Sequence, residues 1–287
     1  MKILILGASG TVGGVLCNVL SNEYETYGTY NKKKPDNANE KYWLKYDIAD
    51  KGLTDDMLGT VKPDIVISSL TGNFENQLHA HERMIKYLKQ HSGFCIFLST
   101  ANVFDGSPDG CHSEADSPYP FSDYGKYKVK CEEMIKSLDE DKNLIVRLPK
   151  ILAKHKTADT IQHVKSGHPI YSNLYMNLNT DENVASAVQY CIDINKSGIL
   201  HLTSHDDMSV DECFKLLLKQ NNESIDYEPE ILIVEKYCSI FNREDVSALR
   251  VSGDNNFYLT LKSIDTDISM KFGLSCHDAI SQTCLGG

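Results

Sequence analysis

A doubly wound parallel α/β sheet with a smaller C-terminal lobe is the fold this sequence predicts, and three observations predict it. Short apolar runs alternate with helical patterns through the first half of the chain. A glycine-rich turn follows the first of those runs. Beyond about Leu152 the alternation loosens into polar, turn-rich sequence.

The apolar runs Lys2–Leu6, Thr26–Tyr30, Asp64–Ser68, Phe94–Leu98 and Leu144–Leu148 read as strands, with a weaker one at Tyr42–Tyr46. Between them, apolar residues recur at threes and fours: Val12, Val15, Leu16, Val19 and Leu20; then Leu78, Met84, Ile85 and Leu88; then Tyr127, Cys131, Met134, Ile135 and Leu138. Such units cover both faces of a parallel sheet with helices and leave ligand sites at the carboxyl ends of the strands. Further on, Lys154–Asn183 is polar, with turn residues at Gly167-His168-Pro169 and at Asn177–Asn183. Gly198–Leu202 reads as a returning strand, and Val210–Lys219 as an amphipathic helix begun by Ser209. Asn221–Phe257 is the least informative stretch.

Bulk properties narrow the function. A length of 287 residues suits one large α/β domain or a domain with an appended lobe. The formal charge of −11 argues against nucleic acid as a partner, and the basic run Lys32-Lys33-Lys34 is too short to reverse that. Apolar stretches are strand-sized, so no membrane span is expected. Met1–Leu6 is too short for a signal peptide and runs straight into the glycine turn. The nine cysteines are scattered and never form Cys-x-x-Cys, which fits reduced thiols and a cytoplasmic protein. No metal site is expected, because His79 and His81 point in different directions on a helix and no Cys completes a set.

The strand Lys2–Leu6, the turn Gly7-Ala8-Ser9-Gly10-Thr11-Val12-Gly13 and the helical pattern after it are the context of a dinucleotide site in a Rossmann-like fold. Gly7 permits the tight turn, Gly10 lets a pyrophosphate approach the backbone, and Gly13 lets the helix pack closely on the strand. The helix N-terminus then offers N–H groups and partial positive charge to phosphates. About 20 residues on, an acidic residue would accept the ribose hydroxyls of NAD. Asn31 and Lys32 stand there instead, a composition that favours the 2′-phosphate of NADP, with NAD as the alternative. Residues 1–152 thus read as the NAD(P)-binding domain, joined by a returning strand near 198–203. Residues 153–287 read as mainly substrate-binding.

Tyr124 and Lys128 lie one helical turn apart on one face, and Phe97-Leu98-Ser99-Thr100 ends a strand at the ligand-binding edge. A hydroxyl, a phenol and an ammonium converging there suit hydride transfer to or from a carbonyl. With Gly7, Gly10 and Gly13, the segment Ser99-Thr100-Ala101-Asn102-Val103-Phe104-Asp105-Gly106 and Tyr124-x-x-x-Lys128, the chain resembles the extended short-chain dehydrogenase/reductases of the NAD-dependent epimerase/dehydratase superfamily. Within it, the dTDP-4-dehydrorhamnose reductase branch is the nearest match. Glu114, Asp116, Pro118 and Pro120 before the tyrosine, Glu132 after the lysine, and the stretch from Phe257 to Gly273 are similar to that branch as well.

The resemblance implies that Tyr124 gives a proton to a substrate carbonyl. Lys128 binds the nicotinamide ribose and favours the phenolate, and Thr100 orients the carbonyl oxygen. It further implies cofactor contacts from Gly7, Ser9, Gly10, Thr11, Val12, Gly13, Asn31, Lys32, Asp47, Ile48, Ser69, Leu70, Thr71, Tyr124 and Lys128. The small-molecule substrate it implies is a nucleotide sugar, and a homodimer through the helices around Leu78–Leu88 and Tyr127–Leu138 accords with it. Ser68-Ser69-Leu70-Thr71-Gly72-Asn73 stands where the branch carries Asn and alanines, and Arg243 is followed by Glu244 rather than Pro. Ala101 and Asn102 replace the acidic pair of dehydratase relatives. Three functions therefore stay open: a keto-sugar reductase, a sugar-nucleotide 4-epimerase, and a non-catalytic NADP-binding regulatory subunit.

Overall fold

Ile3, Leu4, Ile5 and Leu6 are completely buried, as a strand covered by helices on both faces requires. The structure is a computed structural model and describes residues 1–35, 42–224, 228–241, 246–247 and 249–284. In chain order the first elements are β1 (Lys2–Leu6), α1 (Thr11–Leu20), β2 (Glu25–Tyr30), β3 (Trp43–Lys45), α2 (Leu53–Val61), β4 (Ile65–Ser68), α3 (Phe74–His91), β5 (Phe94–Thr100), β6 (Cys111–His112), α4 (Asp123–Ile135) and β7 (Asn143–Leu148). Then follow β8 (Lys150–Leu152), α5 (Thr157–Lys165), β9 (Leu174–Met176), β10 (Leu178–Thr180), α6 (Asp181–Asp193), β11 (Gly198–His201), β12 (Met208–Ser209), α7 (Val210–Gln220), α8 (Val234–Ile240), β13 (Phe257–Leu261), α9 (Thr266–Phe272) and α10 (Cys276–Gln282).

The seven-stranded sheet has the order β11-β7-β5-β4-β1-β2-β3, the doubly wound Rossmann-like arrangement. Pairing is parallel from β3 to β5, with Ile3 opposite Ile65 and Leu4 opposite both Tyr27 and Val66. The strand order reverses at β1, between β2 and β4, and ligands bind such sheets at the crevice this reversal opens.

The chain divides into two compact units. The first comprises Met1–Ser99, Lys130–Val146 and Asp181–Ile199; the second comprises Thr100–Val129, Arg147–Thr180 and Leu200–Gly287. In the first unit, α1 buries Gly13, Leu16, Cys17 and Leu20 at helical spacing, and α6 packs against it through its own apolar face. The sequence pattern did not reveal α6, whose start lies inside the polar stretch ending at Asn183. Its buried face is made of small residues, Ala185 and Ala187 with Val184 and Val188, and these give a weak periodic signal. On α3 the apolar stripe is interrupted by buried Gln77 and His81. Gln77 donates to the Gly72 carbonyl (2.9 Å) and His81 Nε2 meets Ser68 Oγ (2.8 Å), so neither buries an unmet polar group.

In the second unit a four-stranded sheet, β12-β9-β13-β6, and the pair β10-β8 carry the architecture. These strands have two to five residues, too few for a period-two pattern to show. One apolar cluster joins Leu152, Ile161, Val164, Leu178, Leu217 and Ile280; another joins Leu232, Tyr237 and Phe257. Ser209 caps α7 by accepting from the Glu212 N–H at 3.1 Å, as its place before the amphipathic run predicts. Among the described residues no helix is long and apolar enough to cross a membrane.

Candidate active site

The glycine turn is built by steric necessity. Gly7 has φ +82°, and a Cβ on it would lie 2.5 Å from the Ser69 carbonyl oxygen. A Cβ on Gly13 would lie 2.4 Å from the Gly7 carbonyl oxygen and 2.7 Å from Ser69 Oγ. The turn is held from below: the Gly7 N–H donates to Thr29 Oγ1 (2.8 Å), the Ser9 N–H to the Thr29 carbonyl (3.1 Å), and Ser69 Oγ to the Gly7 carbonyl (3.2 Å). Helix α1 begins at Thr11 with Gly10 at its N-cap and no side chain capping it. The N–H groups of its first turn, Thr11, Val12 and Gly13, have no intrahelical acceptor.

This turn forms one wall of a cleft of about 400 Å³ at the carboxyl ends of β1, β2, β3 and β4, entirely within the first unit. Of the residues expected to contact the cofactor, Gly7, Ser9, Gly10, Asn31, Asp47, Ile48, Leu70 and Thr71 line it, while Thr11, Val12 and Gly13 do not. Thr29, Tyr30, Tyr46, Gly72, Asn73 and Asn76 line it too and were not foreseen; the first five lie at or just past the ends of strands, whereas Asn76 is in the first turn of α3. Ser69 does not line the cleft; its hydroxyl braces Gly7 from behind. Lys32 is exposed and lies outside the lining, whereas Asn31 is part of it. The close glycine approach, the uncapped helix start and the cleft at the strand reversal together fit a dinucleotide.

Thr100, Tyr124 and Lys128 all belong to the second unit. Thr100 is half-buried at the end of β5, where its Oγ1 accepts from the Asn102 N–H (3.3 Å) and starts a 3-10 turn over Ala101–Phe104. Tyr124 is in the first turn of α4 and is 40% exposed, while Lys128, one turn on, is 5% exposed. The Lys128 Nζ lies 5.8 Å from the Tyr124 ring centre and 5.9 Å from that of Tyr127. A buried ammonium thus stands beside an accessible phenol. In the first unit, Glu132 is buried on α4 and accepts from Ser99 Oγ at 2.6 Å.

The other acidic positions of the resemblance are structural anchors. Glu114 accepts from the His201 N–H (2.7 Å), Ser263 Oγ (2.9 Å) and the Ile264 N–H (2.9 Å). Asp116 accepts from the Ser113 N–H (2.7 Å), which holds its carboxyl below the usual range. His201 is buried between Arg147 and Glu114; burial pushes its pKa down to about 4. Arg243 and Glu244 lie outside the described residues.

Residues 3–171 match the model of the NAD dependent epimerase/dehydratase family. The chain belongs to this family. It is an NAD(P)-dependent oxidoreductase with the Rossmann-like fold of that group. A Haloferax volcanii protein named as a probable low-salt glycan biosynthesis reductase is 26% identical over 235 residues, covering 71% of this chain and 75% of the relative. A dTDP-4-dehydrorhamnose reductase of Aggregatibacter actinomycetemcomitans is 26% identical over 158 residues, covering 51% of this chain and 50% of its own. The dTDP-4-dehydrorhamnose reductase of Bacillus anthracis, solved in complex with NADP, shares the fold with a TM-score of 0.71 at 16% identity, over 98% of this chain and 96% of that one.

Proposed function

We propose that this family member reduces the carbonyl of a nucleotide-linked keto-sugar with NADPH. The observation that carries the reading is the accessible Tyr124 phenol with the buried Lys128 ammonium one turn away. A cation so placed favours the phenolate, so the phenol gives up its proton more readily to a carbonyl oxygen that is becoming an alkoxide. Thr100, at the end of β5 in the same unit, orients that oxygen through its hydroxyl. NADPH, when bound, supplies the hydride.

The first turn of α1, with Gly7, Ser9 and Gly10, holds the pyrophosphate through N–H groups and the helix dipole. Asn31 leaves room for a 2′-phosphate where a carboxylate would repel it, and Lys32 follows it at the exposed end of β2. Asp47, Ile48, Leu70 and Thr71, which line the same cleft, would hold the adenosine end of the cofactor. The curated relatives named as reductases support reduction over epimerisation.

The test is NADPH oxidation with a panel of nucleotide-linked 4-keto-sugars, followed by absorbance and product mass. Steady oxidation with a gain of two hydrogens establishes the reductase. Isomerised product without net oxidation replaces it with the 4-epimerase. Tight NADPH binding with no turnover, together with a stoichiometric protein partner from the source cell, replaces it with the regulatory subunit.

A further inference from the structure

Thr100 and Tyr124 are joined by hydrogen bonds that pass through one buried carboxylate. Thr100 Oγ1 donates to Asn102 Oδ1 at 3.0 Å. Asn102 Nδ2 donates to Asp105 Oδ2 at 3.4 Å. Asp105 also accepts the backbone N–H groups of Phe121 and Ser122 and the Ser122 hydroxyl. Ser122 Oγ in turn accepts the N–H of Gly125, the residue after Tyr124, at 2.8 Å. Every one of these residues lies in the second unit.

Asp105 is completely buried, and its carboxylate meets four donors, about as many as its two oxygens can take. Burial pushes its pKa up, while those bonds work the other way. Its own carbonyl accepts the hydroxyl of buried Tyr237 at 3.0 Å, which fixes the backbone there too. On the tyrosine side the fit is tight: a Cβ on Gly125 would sit 2.3 Å from the Asn102 carbonyl oxygen. Tyr124 is 40% exposed, and its backbone belongs to the segment 121–125 that these hydrogen bonds hold. On the threonine side, the hydroxyl proton goes to Asn102 and one lone pair takes the Asn102 N–H. One lone pair of Thr100 is left to face a ligand, and donation to a carbonyl needs the bond to Asn102 to be exchanged.

We propose that Asp105 is a positioning residue which, through Asn102 and Ser122, fixes the place of the Thr100 side chain, its proton held on Asn102 until a substrate carbonyl takes it in exchange, together with the turn carrying Tyr124. The proposal rests on the reading of Thr100 and Tyr124 as the groups that meet that carbonyl. It explains why a carboxylate, and not an amide, stands at this position. An Asn there would turn an amino group either toward Asn102 Nδ2 or toward the N–H groups of Phe121 and Ser122, setting donor against donor in both cases. Exchanging the two residues, Asp105→Asn with Asn102→Asp, restores a donor–acceptor match with the polarity reversed and the net charge unchanged.

The experiment measures kcat and KM for NADPH oxidation with dTDP-4-dehydrorhamnose as the probe, and NADPH affinity by fluorescence. Asp105→Asn is expected to lower kcat by about 10²-fold, the scale of a small misplacement of reacting groups. KM for the sugar and the NADPH affinity stay close to wild type. The exchanged double variant recovers most of the loss, and Ser122→Ala falls between. A residue that served stability alone would lower the yield of folded protein without changing kcat, and the exchange would not restore turnover. Wild-type kcat in Asp105→Asn, or no recovery in a double variant that still binds NADPH, overturns the proposal. If Asp105→Asn does not fold, Ser122→Ala and Asn102→Ala carry the test: each must lower kcat with NADPH binding kept. Tyr124→Phe run alongside separates the two readings. An inactive Tyr124→Phe with a normal Asp105→Asn removes only this proposal, whereas a fully active Tyr124→Phe removes both. Amide exchange at Phe121, Ser122 and Gly125 gives the same ranking without any substrate: faster in Asp105→Asn and slowed again in the exchanged variant. Unchanged protection in Asp105→Asn overturns the coupling.

Discussion

Gly13 lies directly against Gly7: a Cβ on Gly13 would come within 2.4 Å of the Gly7 carbonyl oxygen and 2.7 Å of the Ser69 hydroxyl that braces it. The obstacle is backbone, which no side-chain rotation can relieve. Gly13→Ala is expected to push α1 off β1, costing about 1–3 kcal/mol by overpacking and abolishing dinucleotide binding. Denaturant midpoints and NADPH titration would check this. Gly10→Ala makes the contrast, since among the described residues its Cβ would meet only the Gly7 carbonyl, at 3.2 Å. It should cost less stability, and a variant as damaged as Gly13→Ala would show that the close approach is not what selects glycine at position 13.

The cofactor preference depends on Asn31, which lines the cleft just past the end of β2. NADPH is expected to bind more tightly than NADH. Asn31→Asp should reverse the order by repelling the 2′-phosphate and accepting the ribose hydroxyls, a swing of at least about tenfold, or about 1.4 kcal/mol. Lys32→Ala should weaken NADPH only modestly, because Lys32 is exposed and outside the cleft lining. Parallel titrations with both cofactors decide it. A wild-type preference for NADH would mean that the missing carboxylate does not set the choice.

What the sequence revealed and what it hid follow one physical line. The apolar run Lys2–Leu6 and the glycines after it are local signals, since strand period, turn geometry and helix start all lie within twenty residues. The cleft walls at Asp47, Ile48, Leu70 and Thr71 came from the resemblance, and the sheet order brings them to the same edge. Asn76 escaped notice because it lies inside α3 and reaches the cleft only through the fold. Asp105 was visible as part of a motif, but its partners Phe121 and Ser122 lie sixteen and seventeen residues on, and no periodicity links them. The two- and three-residue strands of the second unit are too short for any pattern, and they exist because long-range partners complete them.

Acid should weaken the second unit through His201. Its Nδ1–H donates to the Lys262 carbonyl (3.1 Å), leaving Nε2 to accept from Arg147 Nη1 (3.3 Å), so the ring is neutral with the proton on Nδ1. Burial is the main cause that lowers its pKa from 6.5 to about 4; Arg147 adds to this and Glu114 opposes it. Between those values the unfolded chain binds a proton that the folded chain refuses. Stability is therefore full above about pH 6.5, falls as the pH drops, and levels off near pH 4, with a loss of about 3 kcal/mol from this group. His201→Gln keeps an acceptor for Arg147 and cannot titrate. Its denaturant midpoint should fall less steeply over the same pH range, and parallel curves for the two proteins would count against a neutral buried His201.

The proton donor is tested most directly by removing one oxygen atom. Tyr124 is 40% exposed and contributes little to the core, so Tyr124→Phe should fold and bind NADPH as the parent does. Turnover of a keto-sugar substrate should fall by about 10²–10⁴-fold, the usual loss when a general acid is deleted. Lys128 differs because it is buried, 5% exposed, beside both the Tyr124 and Tyr127 rings. Lys128→Met preserves much of the side-chain volume while deleting the ammonium, so it should lower cofactor affinity and turnover together. The pH profile separates the two roles. Without the nearby cation the phenol holds its proton to higher pH, so the pKa seen in kcat/KM should move upward in the Lys128→Met enzyme. It should vanish from the profile of Tyr124→Phe. A Tyr124→Phe enzyme that keeps both the parental rate and the parental pH profile would mean that another group delivers the proton.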